Sequence, residues 1–372
     1  MQLLDVRKDR ERINRIWPEF EKHLSTEYFL SSAWVGNWLD SLPDQVHLKL
    51  ALGMEGKDSV WACFLGSRRL VRKHLIRSRS LFLNATGNRK IDRLSIEYNR
   101  ILMHSGRPPL LWDVLAELET ILPWDEFVLP GLSAGAFPGN ALDNCPPSWQ
   151  LVITRDDPSP YVDLSAVRDS GDYVSLLGRN ARSQMRRCVR AYEQQGAIAV
   201  AVADDADQAL GIFRELVDLH QRRWRNKGLA GAFANDYVFD FHQRLIKDRF
   251  SRGEIQLIRV SAGRHTVGCL YNFVFNGRVL FYQCGFSPAS DNRMKPGWLC
   301  HLQAVRHNAR AGNAIYDFLA GGSQYKNALS THRNRIVWAK VQKRLLRFEL
   351  ERQAISLKRR MRTAWSTGLR GA

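Results

Sequence analysis

No run of apolar residues in this 372-residue chain approaches the roughly 18 that a membrane-spanning helix needs. The longest, at 197–203, is the size of a strand. The N-terminus, Met1-Gln2-Leu3-Leu4-Asp5-Val6-Arg7-Lys8-Asp9-Arg10, carries charge where a secretory leader has an apolar core. Cysteine is scarce: Cys63, Cys145, Cys188, Cys269, Cys284 and Cys300 are the only six, and none forms a C-x-x-C pair. That argues against a disulfide scaffold and against a zinc site, and leaves reduced core cysteines as the plain reading. Acidic residues are few, 37 against 55 Lys and Arg, and the net charge is +18. These absences lead us to expect a cytoplasmic protein without a metal, peripheral at the inner membrane face if it meets a membrane at all.

What is present in excess is unevenly placed. From Arg333 onward, twelve Lys and Arg face only Glu349 and Glu351. A second cluster comprises Arg179, Arg182, Arg186, Arg187 and Arg190. Such patches attract polyanions: nucleic acid, anionic lipid, or the phosphates of a nucleotide cofactor. A solvated face that only aids solubility is the alternative.

Periodicity predicts helices at 10–22, 92–104, 109–121, 175–195, 207–227, 236–252 and 296–311. Ser31 or Ser32 can cap a short aromatic helix, Pro109 and Pro296 suit a first turn, and Gly196 and Gly312 suit helix stops. Strand-like runs fall at 47–53, 59–65, 80–84, 126–129, 197–203, 254–261, 266–275, 278–286 and 314–319. Asn276-Gly277 is the strongest hairpin signal. Residues 130–160, rich in Pro and Gly, read as a seam, giving units at 1–162 and 163–346 and a basic tail at 347–372.

From residue 197 the order is strand, two helices, three antiparallel strands, helix, strand. The last strand must lie parallel to the one before its helix. Two such strands can part at their C-terminal ends, and the helix N-terminus then points free N–H groups at the opening, where a pyrophosphate could bind.

Here the residues resemble a known family. The order is similar to the GNAT acyltransferases, and the detail to their Fem-related, twin-domain, cellulose-biosynthesis (CelD-like) branch. The pieces that carry it are Leu219-His220-Gln221-Arg222-Arg223-Trp224, Gly285-Phe286-Ser287-Pro288, Lys295-Pro296-Gly297-Trp298-Leu299, Tyr316-Asp317-Phe318-Leu319-Ala320-Gly321 and Tyr325-Lys326. The arginine helix and Phe29-Leu30-Ser31-Ser32-Ala33-Trp34 also fit. The resemblance is dense from 172 to 326 and loose before. It implies an α+β fold with a mixed α/β sheet, built from two GNAT-like domains packed together, the first degenerate. It implies acetyl-CoA or another acyl-CoA as donor. Acyl carrier protein is an alternative carrier, and Fem-type relatives use aminoacyl-tRNA. The family's phosphate loop has the form R/Q-x-x-G-x-G/A. The matching stretch here, Arg293-Met294-Lys295-Pro296-Gly297-Trp298, has one glycine, and Pro296 has no N–H to give.

Acyl transfer needs an acceptor stripped of its proton and a donor carbonyl held and polarised. Asp317, mid-strand in an apolar run, is either the base or a buried carboxylate paired with Arg or Lys. His220 lies on the apolar stripe of its helix and is a second base candidate or a satisfied core histidine. Tyr282 could protonate the leaving thiolate or bind acceptor, or simply pack. Arg293, Lys295, Gly297 and Trp298 are the candidates for the donor's phosphates. Trp224, Tyr325 and Lys326 are the candidates for the substrate wall. The expected reaction is acyl transfer to an amine or hydroxyl on a small molecule, with a saccharide or amino-acid precursor favoured by the resemblance. The rival readings are a tRNA-dependent transferase and a non-catalytic protein that binds nucleic acid or an anionic membrane surface through its tail.

Overall fold

The structure is a computed structural model that describes residues 1–24, 27–72, 76–104, 111–133, 144–289 and 291–354. The first half contains β1 (Gln2–Asp5), α1 (Arg10–Glu21), α2 (Ser32–Ser41), β2 (Leu48–Glu55), β3 (Asp58–Arg72), β4 (Ile76–Leu83), β5 (Leu102–Met103), α3 (Leu111–Ile121) and β6 (Glu126–Ser133). Strand β7 (Trp149–Asp163) leads into α4 (Leu164–Ser170), α5 (Arg179–Glu193), β8 (Ile198–Val202), α6 (Ala206–Arg225) and α7 (Asp236–Arg249). Then come β9 (Ile255–Ala262), β10 (His265–Phe275), β11 (Arg278–Phe286), α8 (Pro296–Arg310), β12 (Ile315–Asp317), α9 (Gln324–Leu329) and β13 (His332–Lys343).

Several elements form for the local reasons read above. Ser31 caps α2, its hydroxyl accepting from the Trp34 N–H. Pro296 opens α8. Asn276 and Gly277 take φ of 47° and 71°, the left-handed pair a tight hairpin turn requires. The helix expected at 92–104 does not form: one short turn at Asp92–Leu94 gives way to extended chain and β5. Ser95 and Tyr98 adopt φ of 51° and 54°, which no α-helix accommodates. The Pro109 first turn, part of the 130–160 seam and most of the basic tail lie outside the described residues.

The sheet order is β1-β2-β3-β4-β6-β13-β7-β12-β11-β10-β9-β8, with β5 beside β3. It reads alike from both ends. Four antiparallel strands lead to a helix whose following strand lies parallel to the fourth, first as β4–α3–β6 and again as β11–α8–β12. Between these units runs an antiparallel ribbon of β7 and β13. The proline-bearing stretch is therefore partly a central strand. The carbonyls of Pro158 and Pro160 accept from Gly321 and Phe318 on the β12 side, and neither proline has an N–H to return. Ladder pairing of β12 accordingly stops at Asp317 opposite Tyr161.

Both parallel pairs are three residues long. Ser80–Phe82 pair with Glu126–Val128, and Arg278–Leu280 with Ile315–Asp317. Each then parts. Each second strand also carries a buried acid, Glu126 or Asp317.

A core cluster crosses the two halves. Tyr28 stacks on Phe273 at 4.5 Å, Trp34 meets Phe241 at 4.8 Å, and Asn37 Nδ2 donates to the Phe241 carbonyl at 3.0 Å. These aromatic residues are buried on both sides, so α2 and α7 are held by apolar burial with specific ring geometry.

Candidate active site

Beyond Leu280, β11 continues to Phe286 without β12 beside it. Three features collect around that opening.

The first is a cavity of about 440 Å³ at the start of α8. Gly297, Trp298, Lys295, Phe286 and Tyr325 line it, and Arg222, Arg223 and Lys227 from the end of α6 add charge. The first-turn amides of α8 have no carbonyl one turn back within the helix, and no side chain caps them. The Trp298 N–H turns to the Lys295 carbonyl at 2.9 Å. Gly297 lies against Phe286: a Cβ there would come within 3.1 Å of that ring. Lys295 bonds Gln184 and lies 4.8 Å from the Trp298 ring. Tyr325 stacks on His301 at 5.6 Å. Arg293 is turned outward to Asp291, with Nε to Oδ2 at 2.8 Å, and does not line the cavity.

The second is a smaller cavity of about 150 Å³ within the opening itself, lined by Phe281, Tyr282 and Gln283 of β11, Phe318, Leu319 and Ala320 after β12, and Lys326. Tyr282 is a bulge: Tyr271 of β10 pairs with Gln283 and Asn272 with Phe281, leaving Tyr282 as the extra residue. Its hydroxyl donates to the Leu94 carbonyl at 2.6 Å and lies 3.2 Å from His242 Nε2. Burial pushes that phenol above its usual range.

The third is Glu97, which the misread helix had concealed. The left-handed turns at Ser95 and Tyr98 bring it from the first half to the edge of this cavity. The Ala320 N–H donates to Glu97 Oε2 at 2.6 Å. Lys326 Nζ donates to the carbonyls of Leu319 and Ala320 at 3.2 and 2.9 Å. Burial pushes the Glu97 carboxyl up to about 7, against the pull of that N–H and of Lys326. Burial also lowers Lys326 from its usual value.

The remaining expected residues are placed otherwise. Asp317 is fully buried, and its oxygens are taken. Oδ1 accepts from the Leu319 N–H at 2.7 Å and Ser159 at 3.2 Å; Oδ2 accepts from Arg278 Nε at 3.0 Å and from the Tyr98 hydroxyl. This is the paired, structural alternative for that residue, and it lines neither cavity. His220 has both ring nitrogens engaged, Nδ1 with the Cys284 carbonyl at 3.1 Å and Nε2 with the Ala232 N–H at 3.3 Å. That pattern requires the neutral ring, and burial lowers its pKa accordingly. Trp224 packs 5.8 Å from His220 outside both cavities, while its neighbours Arg222 and Arg223 line the first. Among the described residues no group of three His, Cys, Asp or Glu is arranged to hold a metal ion. No helix among them is long and apolar enough to cross a membrane.

No curated protein matches the chain in sequence. Among solved structures, FemX is 9% identical with a TM-score of 0.52, over 91% of this chain and 97% of that one. The C-terminal domain of a candidate lysylphosphatidylglycerol synthetase from Agrobacterium fabrum is 11% identical with a TM-score of 0.52, over 94% and 95%. A conserved protein of unknown function from Bacteroides thetaiotaomicron is 9% identical with a TM-score of 0.53, over 90% and 97%. At such identities the likeness is one of fold. Residues 179–327, which include α8 and the parting of β11 from β12, match the model of the acetyltransferase (GNAT) domain. The chain is thus two GNAT-like units joined in one mixed sheet, the second of which matches the model of the GNAT domain over residues 179–327.

Proposed function

We propose that the chain is an acyltransferase that moves an acyl group from acyl-CoA to an amine, with Glu97 taking the proton. The observation that carries this is the cationic cavity at the N-terminus of α8, set against the parted β11 and β12. Its residues suit a nucleotide carrier: Arg222, Arg223, Lys227 and Lys295 for phosphate charge, the Gly297 N–H at the start of α8 for a phosphate oxygen, Phe286, Trp298 and Tyr325 for an apolar arm. The carrier supplies a thioester, whose carbonyl is open to attack and whose sulfur leaves. The bulge at Tyr282 leaves that residue out of the ladder with β10, and in this reading its N–H serves as a donor to the carbonyl oxygen as charge develops there.

The acceptor approaches from the Glu97 side of the smaller cavity. Its nitrogen forms the new N–C bond as the C–S bond breaks, one proton passes from the nitrogen to Glu97, and the departing thiolate takes a proton from water. A carboxyl near 7 is matched to that task at neutral pH. Lys326 holds the 319–320 turn, and so the amide that orients Glu97. In this reading the base is Glu97 in place of Asp317 or His220. Tyr282 contributes its backbone while its hydroxyl ties the halves together through Leu94.

A second reading has one observation in its favour. A groove that shares Lys295, Trp298 and Tyr325 with the donor cavity extends it to the start of α5. Arg179 lines that extension, and Arg186, Arg187 and Arg190 farther along α5 are exposed. A larger polyanionic donor, aminoacyl-tRNA, would use that extension.

The deciding experiment is donor binding by calorimetry with acetyl-CoA, a long-chain acyl-CoA and aminoacyl-tRNA, followed by acyl release to an amine panel. Saturable binding of a CoA ester with thiol release supports the first reading. Binding of RNA alone, with a steep salt dependence, replaces it with the second. Binding without acyl release to any amine leaves a polyanion-binding protein.

A further inference from the structure

The fold has two partings, and the reaction above uses one. The other, between β4 and β6, opens into a cavity of about 280 Å³ walled by Phe29, Trp34, Trp38, Phe64, Phe82 and Trp338. It meets the smaller cavity of the second half at Ser95 and Glu97, which line both. The route from the chamber to the thioester position therefore passes the proposed base.

The polar groups of the wall are mostly committed to the protein. Asn84 Oδ1 accepts from the Phe64 N–H, and its Nδ2 donates to Asn99 and to the Arg100 carbonyl, each at 2.8 Å. Ser95 donates to the Arg93 carbonyl at 3.3 Å. Arg155 lies over the Trp338 ring at 4.1 Å and bonds Asp157. Asp92 Oδ1 accepts from the N–H and hydroxyl of Thr86 at 2.9 and 2.8 Å. No hydroxyl or amide side chain of the wall is left to donate. Apart from the Arg155 guanidinium, which Asp157 and the Trp338 ring engage, and the indole N–H groups, what remains is acceptor chemistry, with Glu97 where the two cavities meet, inside an aromatic box.

A saccharide does not suit that wall, because buried sugar hydroxyls need donors and acceptors around them and an unmet one is costly. An amine on an apolar body suits it: aromatic walls take the body, and a carboxylate takes the N–H. We propose that the parting of the first half is the acceptor chamber, and that its occupant is a primary amine borne on an aromatic or branched apolar group, with its nitrogen at Glu97. Calling that occupant the acceptor rests on the acyltransferase reading; the chemistry of the chamber does not. The first half thus keeps the family's open cleft and uses it for the second substrate.

The test is equilibrium binding to the full chain, followed by calorimetry and by tryptophan fluorescence. The probes are 2-phenylethylamine, glucosamine and 3-phenylpropanoate, with CoA titrated separately. We expect 2-phenylethylamine to bind at least about tenfold more tightly than either of the others. Phe82→Trp and Val128→Phe each narrow the chamber, and each is expected to weaken that binding about tenfold or more while CoA affinity stays within about twofold. The unchanged CoA affinity also shows that the variants fold. Equal binding of glucosamine or the carboxylate overturns the proposal, as does binding of the amine that survives both variants. Acyl transfer to glucosamine but not to 2-phenylethylamine overturns it while leaving the acyltransferase reading intact. Binding of the amine with no binding of CoA removes the donor reading and leaves the chamber's chemistry standing.

Discussion

Glu97 of the first half accepts a hydrogen bond from the backbone N–H of Ala320 in the second, at 2.6 Å. The carboxylate proposed as base is thereby aimed by the other half of the molecule. Its side chain reaches the junction only because the chain turns left-handed at Ser95 and Tyr98.

Glu97→Gln keeps the shape and removes the base. Turnover is expected to fall by about 10²–10⁴-fold, with donor affinity unchanged. In the wild type, kcat/KM should rise with pH through about 7, since the base must be ionised. The variant should lose that limb, and a limb that persists would move the base elsewhere.

The same group makes a prediction about stability. Burial holds its folded carboxyl up at about 7, above the usual value of 4.5. Between those values the folded chain holds a proton that the unfolded chain has released. The stability this contributes is therefore present at low pH and is lost as pH rises across the window. Urea unfolding at pH 5 and pH 8 should show this slope in the wild type and a smaller one in Glu97→Gln.

Asp317→Asn should act mainly on folding. Arg278 is buried against that carboxylate, and removing the charge leaves a guanidinium without its counter-ion. Loss of one partner of a buried pair costs about 3–5 kcal/mol. Denaturant unfolding measures this, and an unchanged midpoint with abolished turnover would restore Asp317 to the chemistry.

Arg222→Ala combined with Arg223→Ala should weaken CoA binding about 10–100-fold and leave 2-phenylethylamine binding unaffected, because these side chains line only the donor cavity of the two. Raising salt should weaken wild-type CoA binding more than that of the variant.

Phe273→Ala removes the ring on which Tyr28 stacks across the two halves. A loss of about 3–5 kcal/mol is expected, read as a lower unfolding midpoint.

The parts legible in the sequence are those decided within a few residues: the Asn276-Gly277 turn, the Ser31 cap, Pro296 at the head of α8, and the order that makes β12 parallel to β11. Residues 92–104 misled for a physical reason. Their helical spacing is overridden by bonds made far away, Tyr98 with Asp317 and Asn99 Nδ2 with the carbonyls of Leu83 and Pro130. With that segment read as a helix, Glu97 carried no signal. Asp317 was visible as a carboxylate in an apolar strand, but its partner Arg278 lies 39 residues away, and only the fold shows that the charge is already answered. The ribbon of β7 and β13 pairs Pro158 with Arg335, a separation no local pattern reports.

That ribbon has a consequence for how the molecule is made. Strand β6 finds its outer neighbour in β13, whose residues 332–343 emerge from the ribosome some 200 positions later. Until then the earlier-made unit carries a raw sheet margin, open to wrong pairing with another nascent chain. Cutting the gene near residue 163 would leave both products in that condition permanently, so the two units share one folding event although each has its own repeat of the architecture.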